Sequence, residues 1–143
     1  MIFLDTNVLL YRIDHTPQNR AKQRIALQYL ERTDIVISTQ VLIEFCNNAF
    51  KAKTESNRLA DAEVWAFVNA WLRFEIMVVT SDLILAALES KVRFRISHLD
   101  ALIIETARSA GCTEVYSEDL SETQDYGGVR VINPFRQPHK TRK

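Results

Sequence analysis

Short apolar runs at positions 2–4, 35–37, 76–79, 114–116 and 129–132 punctuate the chain, and stretches of helical periodicity separate most of them. Such runs, rich in Ile, Val and Leu, fit strands buried on both faces. Helical patterns cover 18–31, 39–52, 57–73, 81–94 and 98–110. Strands joined through helices call for a parallel sheet with right-handed crossovers, so an α/β fold is expected. Ligands of such sheets gather at the carboxyl ends of the strands. The residues just beyond each run are therefore the ones that matter for function.

At 143 residues, with 47% hydrophobic and 25% charged residues, the chain suits one globular domain with a proper core. Basic and acidic residues balance at 18 each, so global charge does not advertise nucleic-acid binding, although a groove can be basic in a neutral molecule. With only three glycines there is neither a GxGxxG fingerprint nor a P-loop, which removes the usual nucleotide-binding domains. Cys46 and Cys112 have no metal-type spacing and fall in stretches that read as helical. They suit small apolar filler and a reduced, cytoplasmic setting. The apolar start at 1–12 is interrupted by Asp5 and has no basic leader, so neither a signal peptide nor a membrane span is expected. The segment 121–128 reads as a loop, with Gly127-Gly128 turning into the last strand, and the basic stretch 136–143 as a mobile tail.

Four acids stand out by position. Asp5 follows the first apolar run, where Asp5, Thr6 or Asn7 can equally serve as the cap of the next helix. Glu44 lies at the margin of an apolar helical face formed by Val41, Leu42, Phe45, Cys46 and Ala49, one turn before Asn48. Asp100 falls near the middle of a stripe with Ile103, Ile104, Ala107 and Ala110. It also completes a Ser97-x-x-Asp100 capping box, and the two readings are compatible. Asp119 sits in the acidic turn Ser117-Glu118-Asp119 after the fourth run. Two carboxylates about 4 Å apart repel by roughly 4 kcal/mol at an effective dielectric near 20. A cluster of four must therefore take up protons or hold a cation. An oxygen-only set suits Mg²⁺ or Mn²⁺ better than zinc.

Five segments, in order, resemble the successive blocks of PIN domains. They are Phe3-Leu4-Asp5-Thr6-Asn7-Val8-Leu9, Ser38-Thr39-Gln40-Val41-Leu42-Ile43-Glu44-Phe45, Asp100-Ala101-Leu102-Ile103, Ser117-Glu118-Asp119-Leu120 and Val131-Ile132-Asn133-Pro134-Phe135. The likeness is greatest to the VapC toxins of type II toxin–antitoxin pairs and spans the nuclease-like region 1–135, leaving 136–143 as a basic tail. It implies a three-layer α/β/α sandwich with a parallel sheet of order 3-2-1-4-5. It further implies Mg²⁺- or Mn²⁺-dependent hydrolysis of RNA, with Asp5, Glu44, Asp100 and Asp119 as catalytic, metal-holding acids. Asn7 and Ser117 would brace those carboxylates, and Glu118 or Asp125 could share the fourth acidic role. The implied partners are the RNA substrate, a VapB-like antitoxin whose C-terminal peptide fills the groove, and a second copy in a homodimer, with no membrane.

Two other classes share features of the sequence. An apolar strand followed by Asp5-Thr6-Asn7 resembles the opening motif of haloacid-dehalogenase-like phosphatases, with Asp5 as nucleophile, but Asn7 replaces their second Asp. A PIN-like module that binds RNA or a partner without cutting would keep the fold and lose turnover. Lys91, Arg93, Arg95 and His98, with Lys140, Arg142 and Lys143, are candidates for phosphate contacts, or simply solvated cations at a helix end. Trp65, Phe67, Val68, Trp71, Leu72 and Phe74 form an apolar band expected to serve the core first and a dimer interface second.

Overall fold

The computed structural model describes residues 1–52 and 57–136. Its elements run β1 (Ile2–Leu4), α1 (Thr6–Ile13), a 3₁₀ turn (Pro17–Asn19), α2 (Arg20–Leu30), β2 (Ile35–Ser38), α3 (Thr39–Phe50) and α4 (Asp61–Trp71). They continue with β3 (Glu75–Met77), α5 (Ser81–Phe94), α6 (His98–Ser109), β4 (Glu114–Tyr116) and β5 (Arg130–Ile132). All strand pairs are parallel and the sheet order is β3-β2-β1-β4-β5, as expected.

The central strands carry no alternation because both faces are covered: every residue of β1 and β2 is buried. Phe3 of β1 lies opposite Val36 on one side and Val115 on the other. The edge strands end the apolar pattern with charge, through exposed Glu75 on β3 and Arg130 on β5, which blunts pairing with a further strand. Helix α1 packs on α2 and α3, α3 on α4, and α5 on α6. After β3 the chain crosses back over the sheet to reach β4. Right-handed crossovers therefore place α1–α4 on one face and α5–α6 on the other, a three-layer α/β/α sandwich.

Several expected boundaries shift. A cap at Asp5, Thr6 or Asn7 was expected, but no range was assigned to the helix it opens, because Val8, Leu9, Leu10, Tyr11 and Ile13 form a nearly unbroken apolar run that marks no clear period. Strand β3 occupies 75–77 rather than 76–79, since Val79 N–H donates to the Thr39 hydroxyl (3.1 Å) instead of extending the ladder. Helix α4 begins at Asp61, where the Glu63 carboxylate accepts from Ala60 N–H (3.0 Å). Cys112 is buried as filler but sits in the turn after α6, not in a helix. The apolar band divides: Trp71 and Phe74 enter the core, Phe67 and Val68 pack at its edge, and Trp65 and Leu72 face outward. Loop 121–128 is free of helix and strand, and Gly127 and Gly128 both take positive φ. Of the basic tail only Arg136 is described, exposed and paired with Glu122 (3.1 Å); positions 137–143 lie outside the described residues.

Candidate active site

The strand order reverses beside β1, between its neighbours β2 and β4, and a crevice opens there at the strands' carboxyl ends. Asp5 is the first residue past β1 and the N-cap of α1. Its Oδ1 accepts from Thr6 N–H and its Oδ2 from the Ser117 hydroxyl, both at 2.7 Å. Capping and site placement thus use the same carboxylate. Asp5 is 6% exposed. Burial pushes its pKa up to about 6; the hydrogen bonds from Ser117 and Thr6 oppose the rise, and the charges of Glu44 and Asp119 add to it.

Glu44 projects from α3 with each oxygen held by a neutral donor: Thr6 Oγ1 to Oε2 (2.7 Å) and Gln40 Nε2 to Oε1 (3.0 Å). Gln40 Nε2 also donates to the Leu99 carbonyl (3.1 Å), at the start of α6. Asp100 follows in that first turn. Its backbone N–H donates to Ser97 Oγ, the N-cap (3.1 Å), and its carboxylate lines the crevice; of the expected capping box only this Ser97 half forms, because the Asp100 carboxylate does not accept from Ser97 N–H. Burial raises its pKa, the Ser97 hydroxyl opposes, and the charges of Asp119 and Glu44 raise it further.

The turn after β4 is organised by the fully buried Ser117. Its hydroxyl donates to Asp5 and accepts from Asn7 Nδ2 (3.3 Å) and the amides of Asp119 (3.2 Å) and Leu120 (3.3 Å). Asn7 Nδ2 also donates to Asp119 Oδ2 (3.2 Å). Asp119 is the member of the acidic turn that faces the crevice. Glu118 points away to Lys22, with Nζ at 2.6 Å, and Asp125 accepts from Gly128 N–H (3.1 Å) in its own loop.

Asp5, Glu44, Asp100 and Asp119 together line one cleft of about 220 Å³, with Thr6, Asn7, Gln40 and Asn48 as further polar groups and Leu10, Leu99 and Ile103 as its apolar walls. Among the described residues none of the four acids forms an ion pair, and no Lys or Arg lines the cleft. Among the described residues, then, the cations that were candidates for phosphate contacts do not line the cleft. Lys91, Arg93 and Arg95 stand exposed at the C-terminal end of α5, where cations suit the helix dipole, and Arg93 stacks over Phe94 (4.8 Å). Lys140, Arg142 and Lys143 lie outside the described residues. Among the described residues no three His, Cys, Asp or Glu side chains converge tightly enough to enclose a metal ion on their own. The all-oxygen donor set nevertheless fits Mg²⁺ or Mn²⁺, because Mg²⁺ characteristically keeps several waters and uses only one or two carboxylates.

Three polar residues of the cleft, Thr6, Gln40 and Asn48, were not expected there from sequence. Gln40, Glu44 and Asn48 recur every four residues on α3 and so share a face, a signal that was available. Thr6 offered only its place after Asp5, which capping alone would explain.

A PIN domain family model matches residues 2–121. Compared with the curated proteins, the sequence has no match. Among solved structures, a toxin–antitoxin complex from Klebsiella pneumoniae is similar with a TM-score of 0.69 at 21% identity, covering 96% of this chain and 100% of that one. VapC20 of Mycobacterium tuberculosis, described as a toxin that cleaves the sarcin–ricin loop, gives 0.62 at 21% identity over 83% of this chain and 90% of its own. VapBC2 from Rickettsia felis, bound to a DNA fragment from its promoter, gives 0.63 at 20% identity, covering 93% and 98%. Identities this low establish shared fold alone, whereas the family model spans most of the chain. With its acids gathered where the strand order reverses, this chain belongs to the PIN domain family.

Proposed function

We propose that the chain is a divalent-metal-dependent endoribonuclease, the VapC-type toxin of a toxin–antitoxin pair. The observation that carries this reading is the convergence of Asp5, Glu44, Asp100 and Asp119 on one cleft with no counter-cation among the described residues. Mg²⁺ or Mn²⁺ bound there would supply a water of lowered pKa and charge neutralisation for in-line phosphoryl displacement. Asp5 and Asp100, whose pKa values burial raises, are the acids with most to gain from a cation. Glu44 and Asp119 complete the negative field, Thr6 and Asn7 orient them, and Ser117 fixes Asp5. Asn7 donates to Ser117 and Asp119, which makes it a brace and gives the phosphatase reading no general acid.

Residues 1–135 form the nuclease domain in this reading, with 136–143 as an appended basic segment. The relatives from Klebsiella and Rickettsia were solved with antitoxins, which supports a VapB-like partner here. A homodimer and an RNA substrate complete the proposal.

Incubation of the purified protein with total RNA, followed by mapping of new ends, tests the activity. Discrete cuts with Mg²⁺ or Mn²⁺ that EDTA abolishes support it. Phosphate release from small esters would favour the phosphatase, and RNA retention without turnover the binding module. A small neighbouring reading frame whose product co-purifies with this chain tests the antitoxin.

A further inference from the structure

Gln40 lies where two packing units of the molecule meet the cleft. Its residue is 8% exposed, and its Nε2 makes two bonds in different directions. One runs to Glu44 Oε1 on α3 (3.0 Å), the other to the Leu99 carbonyl in the first turn of α6 (3.1 Å). Helix α3 packs on α1 and α4, and α6 on α5, so this amide links walls that belong to opposite layers. Leu99 contributes little anchoring of its own, since it is 55% exposed. Asp100 is the next residue.

We propose that Gln40 is a positioning residue: it holds Glu44 at a fixed separation from the α6 turn that carries Asp100, and thereby sets the cleft's affinity for a divalent cation. The inference rests on the nuclease reading and assigns a role to a residue that reading does not use. Two features favour it over simple packing. Glu44 Oε2 is held independently by Thr6, so the Gln40 bond removes the carboxylate's remaining rotational freedom. Gln40 Oε1, meanwhile, is buried with no partner, a loss that an apolar side chain of equal length would avoid. A position that breaks the local rule for stability beside a site is best explained by what its donor group does there.

The test is Gln40→Met, which keeps length and volume and removes the donor. Mn²⁺ binding by the protein alone, measured by titration calorimetry, should weaken by roughly 10- to 100-fold, the usual consequence of losing an orienting partner. Thermal stability of the metal-free protein should fall modestly as the Leu99 and Glu44 acceptors lose their donor; a merely structural role would show that same fall with Mn²⁺ affinity unchanged. In cleavage assays the Mn²⁺ concentration for half-activation should rise while KM for RNA at saturating Mn²⁺ holds. Equal Mn²⁺ affinity in variant and wild type overturns the role of Gln40 and leaves the nuclease reading standing. A wild type that binds no Mn²⁺ overturns both. A measurement without substitution is also available: the Gln40 side-chain amide resonances should shift on Mg²⁺ addition, and resonances indifferent to Mg²⁺ at saturation contradict the proposal.

Discussion

At the scale of single residues, Asp5 joins stability to function. In the folded protein it keeps its proton up to about pH 6, against 3.8 for the free group. Between those values the folded state binds more protons than the unfolded chain, so stability is highest at the acidic end and declines as pH rises through the window. At neutral pH the ionised Asp5 costs about 3 kcal/mol, to order of magnitude. Metal-free Asp5→Asn should therefore melt several degrees above wild type near pH 7.5, with the gap closing toward pH 4 in thermal scans. Equal melting temperatures across that range would remove the burial argument. Ser117→Ala should act oppositely: it removes a bond that stabilises the Asp5 carboxylate, and roughly 10- to 100-fold of Mn²⁺ affinity with it. Asp5 and Asp100 were legible in sequence as cleft residues because each is a carboxylate beside an apolar run or stripe, a placement that helix capping explained equally well. The choice between Glu118 and Asp119 was not. They are adjacent, and the partner that draws Glu118 away, Lys22, lies 96 positions distant.

At the scale of elements, caps and turns set the walls of the cleft. Ser97 opens α6 and Ser38 opens α3, each accepting an amide of its own helix (3.1 and 3.2 Å). Ser38→Ala should cost about 1 kcal/mol in denaturant unfolding, the usual value of a lost N-cap. Loop 121–128 is tied down by Arg108, which donates to the carbonyls of Tyr126 and Gly127. Gly127 sits at φ +66°, and a Cβ there would meet the Arg108 guanidinium at 3.3 Å. Gly127→Ala should destabilise by roughly 1–2 kcal/mol; an unchanged unfolding midpoint would show that the latch yields freely. Strand β1 was readable to the residue because burial on both faces leaves an unmixed apolar run; β4 was placed as closely although it carries Glu114 and buries only Val115. The extent of helix α1 was hidden although its cap was legible: half-buried Leu10 and Tyr11 carry the apolar run past the buried Val8, Leu9 and Ile13 and blur the period.

At the scale of the whole molecule, a formal net charge of zero conceals a strong local imbalance. Among the described residues Lys22, Arg32, Arg108, Arg130 and Arg136 pair with acids elsewhere, and no Lys or Arg lines the cleft of the four carboxylates. Topology produces this: Asp5, Glu44, Asp100 and Asp119 come from four separated segments, and only the reversal of strand order beside β1 brings them together. The order of motifs along the chain pointed to that gathering. The Gln40 link between layers did not show, because sequence contains no sign that Leu99 would lie within reach of α3. The central claim meets its most direct test in cleavage of a defined RNA across a Mn²⁺ titration, comparing wild type with Asp100→Asn. Wild type should cut in proportion to bound metal, stop with EDTA and resume when Mn²⁺ is restored, while the variant loses more than about 100-fold at every metal concentration. Equal cleavage by the two proteins, or cleavage that persists in EDTA, would contradict a metal nuclease built on this acidic cleft.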